Sequence, residues 1–152
     1  MILNRNYKLL FALFLGAGLF AFTQVLVIAA PGDLDVTFSC DGKIQTAALN
    51  HIYGTVVQPD GKVVVAGYKA RNYPYNGSAA VARFNADGSL DLTFGTEGVT
   101  ALSTDAYDGS TFRSIVLQSD GKLVAVGADS FLNVNNGDSL VVRLNADGSF
   151  DT

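Results

Sequence analysis

The chain has 152 residues, with ten basic against fourteen acidic side chains for a formal net charge of −4, and it contains one cysteine, one histidine and no tryptophan. That length supports one modest core and no more. The single Cys40 excludes an internal disulfide in a monomer, and the acidic balance makes nucleic acid or an anionic lipid surface a poor electrostatic partner.

The first thirty residues stand apart from the rest. Arg5 and Lys8 precede an apolar run from Leu9 to Phe22, and after Thr23 and Gln24 the run resumes from Val25 to Ala30. This is the form of a secretory signal. Val27-Ile28-Ala29 supplies the small residues a signal peptidase needs, with cleavage expected after Ala29 or, second, after Ala30. The alternative is a retained membrane anchor, because Leu9 to Ala30 is just long enough to cross a bilayer. The polar interruption and the lack of a basic stop-transfer cluster favour a cleaved signal over residues 1–29. The expected location is secreted or at the cell surface, with membrane contact only if the segment is retained. Residues 30–152 then carry eight basic and fourteen acidic side chains, a net charge of −6.

The remainder repeats itself. Gln58-Pro59-Asp60-Gly61-Lys62 returns as Gln118-Ser119-Asp120-Gly121-Lys122, and Arg83-Phe84-Asn85-Ala86-Asp87-Gly88-Ser89 returns as Arg143-Leu144-Asn145-Ala146-Asp147-Gly148-Ser149. Both pairs are offset by 60 residues. Leu34-Asp35-Val36-Thr37-Phe38 matches Leu90-Asp91-Leu92-Thr93-Phe94 at an offset of 56, so the first unit lacks four residues between Phe38 and Gln58. A fixed period of this size marks one supersecondary unit copied in tandem, each copy burying its apolar face against the next. Repeat 1 covers about 32–87 and repeat 2 about 88–147, and a third copy starts at 148–152. Cys40 occupies the position of Thr96 in the next copy and reads as a tolerated turn residue, not a lipidation site.

Within a unit, Val56-Val57-Gln58 and Lys62 to Gly67 read as two strands joined by a tight turn. Pro59 presets φ, and Asp60-Gly61 carries the harder left-handed step. Val63-Val64-Val65-Ala66 is apolar at successive positions, as expected of a strand covered on both faces. A third strand is expected from Ala79 to Asn85 and again from Leu140 to Asn145. A fourth is expected over Val99 to Leu102, after an Asn-Ala-Asp-Gly-Ser turn. The expectation is an all-β chain of tandem repeats of about 60 residues, each with about four short antiparallel strands and no helix.

These residues resemble a known family. Gln-Pro-Asp-Gly-Lys-Val-Val-Val-Ala-Gly, from Gln58 to Gly67, and Ala-Val-Ala-Arg-Phe-Asn-Ala-Asp-Gly-Ser-Leu-Asp-Leu-Thr-Phe-Gly, from Ala80 to Gly95, closely resemble the delta-60 repeat family of exported bacterial proteins. The likeness spans Gly32 to Thr152, and Gly32 to Phe38 looks like the family's opening motif; Ser39-Cys40 departs from its usual Gly-x. The resemblance implies β-propeller-like blades and no assigned activity. Two units are an incomplete propeller, since closure takes about four to eight blades. The ranked expectations are a truncated reading frame, several chains assembled into a ring, or an open stack with exposed edges.

Candidate sites follow from the same motifs. Arg83 and Arg143 lie inside apolar strands and need partners; Asp91 or Asp35, from the recurring Leu-Asp-x-Thr-Phe motif, are the expected ones, giving a structural ion pair in each unit. Asn85, Asp87 and Asp91, repeated as Asn145, Asp147 and Asp151, place oxygens at alternate positions around a glycine. That is compatible with calcium, but lacks the distal glutamate of a full calcium loop; self-bonded hairpin turns are the preferred reading. No other cofactor is expected. His51, the lone histidine, has no nucleophile or metal-site spacing around it, and an enzyme is not expected. The two copies diverge from Tyr68 to Gly77, with Tyr73 and Tyr75, and from Ala128 to Gly137, with Phe131, which marks a possible binding loop for a protein or carbohydrate ligand. Self-association is a further expectation. The leading reading is an exported, non-enzymatic scaffold, with a propeller-type enzyme whose active site lies in other repeats as the alternative.

Overall fold

The computed structural model describes residues 32–70, 77–102, 109–129 and 138–152. The expected signal, residues 1–29, and Tyr73, Tyr75 and Phe131 lie outside the described residues. Among the described residues, seven strands form two antiparallel sheets. The first sheet runs in chain order through β1 (His51–Val57), β2 (Val63–Lys69), β3 (Ser78–Phe84) and β4 (Val99–Ala101). The second runs through β5 (Thr111–Leu117), β6 (Leu123–Asp129) and β7 (Asp138–Leu144). Each sheet is one blade, all-β and meandering, and the pair is an incomplete propeller.

The β1–β2 hairpin closes as its residues dictate. The Gln58 amide donates to the Lys62 carbonyl at 2.8 Å and the Gly61 amide to the Gln58 carbonyl at 2.9 Å, with Gly61 at φ 82°. The second unit reproduces this at Gln118, Gly121 and Lys122 without the proline, so Asp-Gly is sufficient for the turn. The blade boundary is out of phase with the repeat boundary. β4 lies after Ser89, in the second sequence unit, yet pairs with β3 of the first through Ala80↔Ala101, Val81↔Thr100 and Ala82↔Val99. Neighbouring units are thereby stitched together.

The core has two parts, one on each face of the first blade. Val64, Ala66, Ala79 and Val81 face Phe112, Ile115, Leu123, Ala125 and Leu144 of the second blade, with Phe94 between them. The alternate residues Val65, Ala80, Ala82 and Phe84 are covered by Leu49, Ala48 and Ile44, from the segment before β1, together with Val99. Covering on both faces is why β2 is a continuous apolar run. In the second blade one face is buried against the first, whereas Val116, Val126 and Val141 of the other face are 55, 38 and 68% exposed.

Candidate functional site

Two arrangements recur in each unit, one holding the blades together and one displaying side chains. The first is built on β3. Arg83 Nε donates to Asp91 Oδ2 at 2.7 Å, Lys62 Nζ donates to the same oxygen at 2.8 Å, and Thr93 gives its amide and hydroxyl to Oδ1 at 3.1 and 2.6 Å. Burial alone would raise the Asp91 carboxyl; the Lys62 and Thr93 hydrogen bonds and the Arg83 charge outweigh it and hold the group well below the usual carboxylate range. Arg83 also stacks on the Phe94 ring at 4.7 Å and donates through Nη1 to the Ala146 carbonyl of the next blade at 2.6 Å. One side chain thus neutralises a buried acid and ties two blades together.

The second unit repeats the inner part of this network. Arg143 and Lys122 both bond Asp151, Lys122 at 3.1 Å to each oxygen. Lys122, then the Arg143 hydrogen bond and charge, lower the Asp151 carboxyl against a smaller opposing burial. Asp35, the alternative to Asp91 as an arginine partner, is bonded within its own turn. It accepts from the amide and hydroxyl of Thr37 at 2.9 and 2.6 Å, and those bonds lower its carboxyl. The reason is positional. Arginine precedes its aspartate by eight residues in both later copies, and eight residues before Asp35 stands Val27.

The side chains considered for calcium each have protein partners. Asp87 Oδ1 is taken by the amide and hydroxyl of Ser89 at 2.9 and 2.7 Å, and Asn85 donates to the same serine hydroxyl at 2.9 Å. Asp147, Ser149 and Asn145 repeat these bonds, while Asp91 and Asp151 face cations. Among the described residues no group of three or more His, Cys, Asp or Glu is gathered for a metal ion.

The second arrangement sits where β1 and β5 begin. The β1–β2 register shifts between Ile52 and Gly54, leaving Tyr53 as the extra residue of a β-bulge; the β5–β6 register shifts between Phe112 and Ser114, leaving Arg113. A bulge re-aims the side chain it carries. Both are exposed, and the Arg113 guanidinium lies 4.7 Å over the Tyr53 ring, a contact contributing about 0.5–1 kcal/mol at an exposed site. His51 stacks 6.3 Å from Tyr53 and lies 6.1 Å from Tyr68, its strand partner across β1 and β2. The bulge requires a glycine opposite. A Cβ on Gly67 would overlap the His51 carbonyl oxygen, and one on Gly127 would overlap that of Thr111. The strands continue past both glycines, to Lys69 and Asp129.

Of the residues expected to bind ligand, Tyr68 joins this cluster. Tyr53, Arg113 and the placement of His51 were not legible from the residues alone. The available signal was the glycine recurring at Gly67 and Gly127, which follows an apolar run where a strand would otherwise carry a side chain. Aromatic faces, an imidazole and a guanidinium can stack on and hydrogen-bond to a ligand.

Residues 58–94 and 118–152 match a family model described as a β-propeller domain of unknown function, DUF5122. No match is found among curated proteins. The chain thus carries two blades of a β-propeller-type repeat similar to that family.

Proposed function

We propose that this chain is an exported, non-enzymatic scaffold of the delta-60 repeat kind that binds a carbohydrate at the end of the blades where Tyr53, Arg113, His51 and Tyr68 meet. The supporting observation is the pair of bulges. An identical backbone device displays tyrosine in one unit and arginine in the next, so the frame is constant and the presented chemistry varies, which is how repeat scaffolds individualise a binding surface. Exposed tyrosine offers a flat face to a sugar ring at low entropic cost, and the neighbouring guanidinium supplies directed donors. Export is supported by the N-terminal basic and apolar segment.

The reading is tested by retention of the purified chain on chitin, cellulose and peptidoglycan. Binding should fall at least several-fold in Tyr53→Ala and in Arg113→Ala while thermal unfolding shifts little. Retention unchanged in both variants, or retention on none of the three polymers, overturns the carbohydrate reading. Export is tested by fractionating cells that produce a C-terminally tagged chain; recovery in the cytoplasm alone overturns it.

A further inference from the structure

Among the described residues the second sheet has three strands where the first has four, and a segment before β1 repeats the approach to β4. In the first blade, β3 is followed by the turn at Asn85–Ser89, the loop Asp91–Gly98 and β4, which covers the β3 edge. This loop is held by Gly98 N to Phe94 O at 2.9 Å and docks on the second blade through Gly95 N to Asp147 O at 2.8 Å. Residues Asp35–Gly42, 56 positions earlier, adopt the same arrangement. Gly42 N donates to Phe38 O at 2.7 Å and Ser39 N to Asp87 O at 2.8 Å. Positive φ at Ser39 and Gly42 matches that at Gly95 and Gly98. Lys43–Gln45, equivalent to β4, belong to no strand. The segment is folded as the outer edge of a preceding blade. At the opposite side, β7 has β6 on one edge and no strand on the other among the described residues.

We propose that a second copy of this chain docks head to tail on the open face of the second blade, its Lys43–Gln45 adding a fourth strand beside β7. The register follows from the first blade by repeat equivalence: Leu140↔Gln45, Val141↔Ile44 and Val142↔Lys43. The interface is continuous with one already present, because the incoming first blade would meet Val116, Val126 and Val141 as the second blade meets Val56, Ala66 and Val81. Arg143, whose side chain is 53% exposed where that of Arg83 is 9%, would reach the incoming Ala86 carbonyl as Arg83 reaches that of Ala146. Such an interface is heterologous, so copies associate into a ring or a linear array and not into a symmetric pair. The proposal rests on the fold and is independent of any carbohydrate binding.

The test uses the full chain, with mass by light scattering over a dilution series and amide hydrogen exchange at each mass. Association with added protection at both 138–144 and 43–45 is expected. Val141→Glu places a charge on an exposed position of the face and should weaken association roughly tenfold or more, with near-ultraviolet circular dichroism unchanged. Leu92→Glu, at a position 67% exposed beside an occupied interface, should leave association intact. A chain that stays monomeric at its highest soluble concentration overturns the proposal. Association that survives Val141→Glu, as clustering through the apolar N-terminal segment would, also overturns it.

Discussion

Arg83 and Arg143 are the same residue in two copies of one motif, each paired with the aspartate eight positions on, and they differ in what lies beyond them. A neighbouring blade covers the first, so its side chain is 9% exposed and its guanidinium also caps a carbonyl of that blade; the second is 53% exposed. The difference teaches that the interface, and not the motif, decides what an ion pair contributes here. Desolvation makes the buried pair costly to break from one side, whereas the exposed one is screened by water.

The largest test of that contrast is Arg83→Ala. It leaves Asp91 buried with Lys62 and Thr93 alone and removes the tie to Ala146, and it should cost about 3 kcal/mol in urea unfolding. Arg143→Ala should cost less than about 1 kcal/mol, and equal losses would break the comparison. Gly67→Ala and Gly127→Ala sharpen it from the other side. Their clashes are internal to each blade, so both should lose about 2 kcal/mol, equally. Thr100→Val removes a hydroxyl that donates to the Gly148 carbonyl at 2.6 Å across the blade interface, and should cost about 1 kcal/mol.

The smallest and most specific effect is in acid. Asp91 has a folded value below its unfolded one, so its contribution is complete above about pH 4 and is lost as pH falls through the folded value. Thermal unfolding between pH 5 and pH 2, as rough bounds of that window, should show a shallower acid slope in Asp91→Asn than in the parent chain. Asp151→Asn should flatten it less.

Much of the frame was legible because the constraints were local. Asp-Gly turns and the run Val63 to Ala66 state their backbone and burial directly, and Gly61 stands at the positive φ its turn requires. The start of β1 was not legible. His51, Ile52 and Tyr53 are exposed and the strand is then interrupted by the bulge, so it has neither apolar periodicity nor alternation to read. The pairing of β4 across the repeat boundary was hidden for another reason. Repetition reports a period and says nothing of the phase at which strands hydrogen-bond. The choice between Asp91 and Asp35 as the arginine partner was open in the sequence, because the ion pair needs two residues at a fixed separation and the motif supplies only one of them.

The bulge opposite Gly67 and Gly127 has a consequence for how this protein can change over generations. Its geometry is set by a carbonyl and the hydrogen atom of a glycine, and the displayed side chain takes no part in holding it. Positions 53 and 113 can therefore accept new residues with little penalty in folding, so mutation there is filtered by what the surface meets and not by whether the chain survives. A tandem array built this way gains one such freely varying position with every duplicated unit.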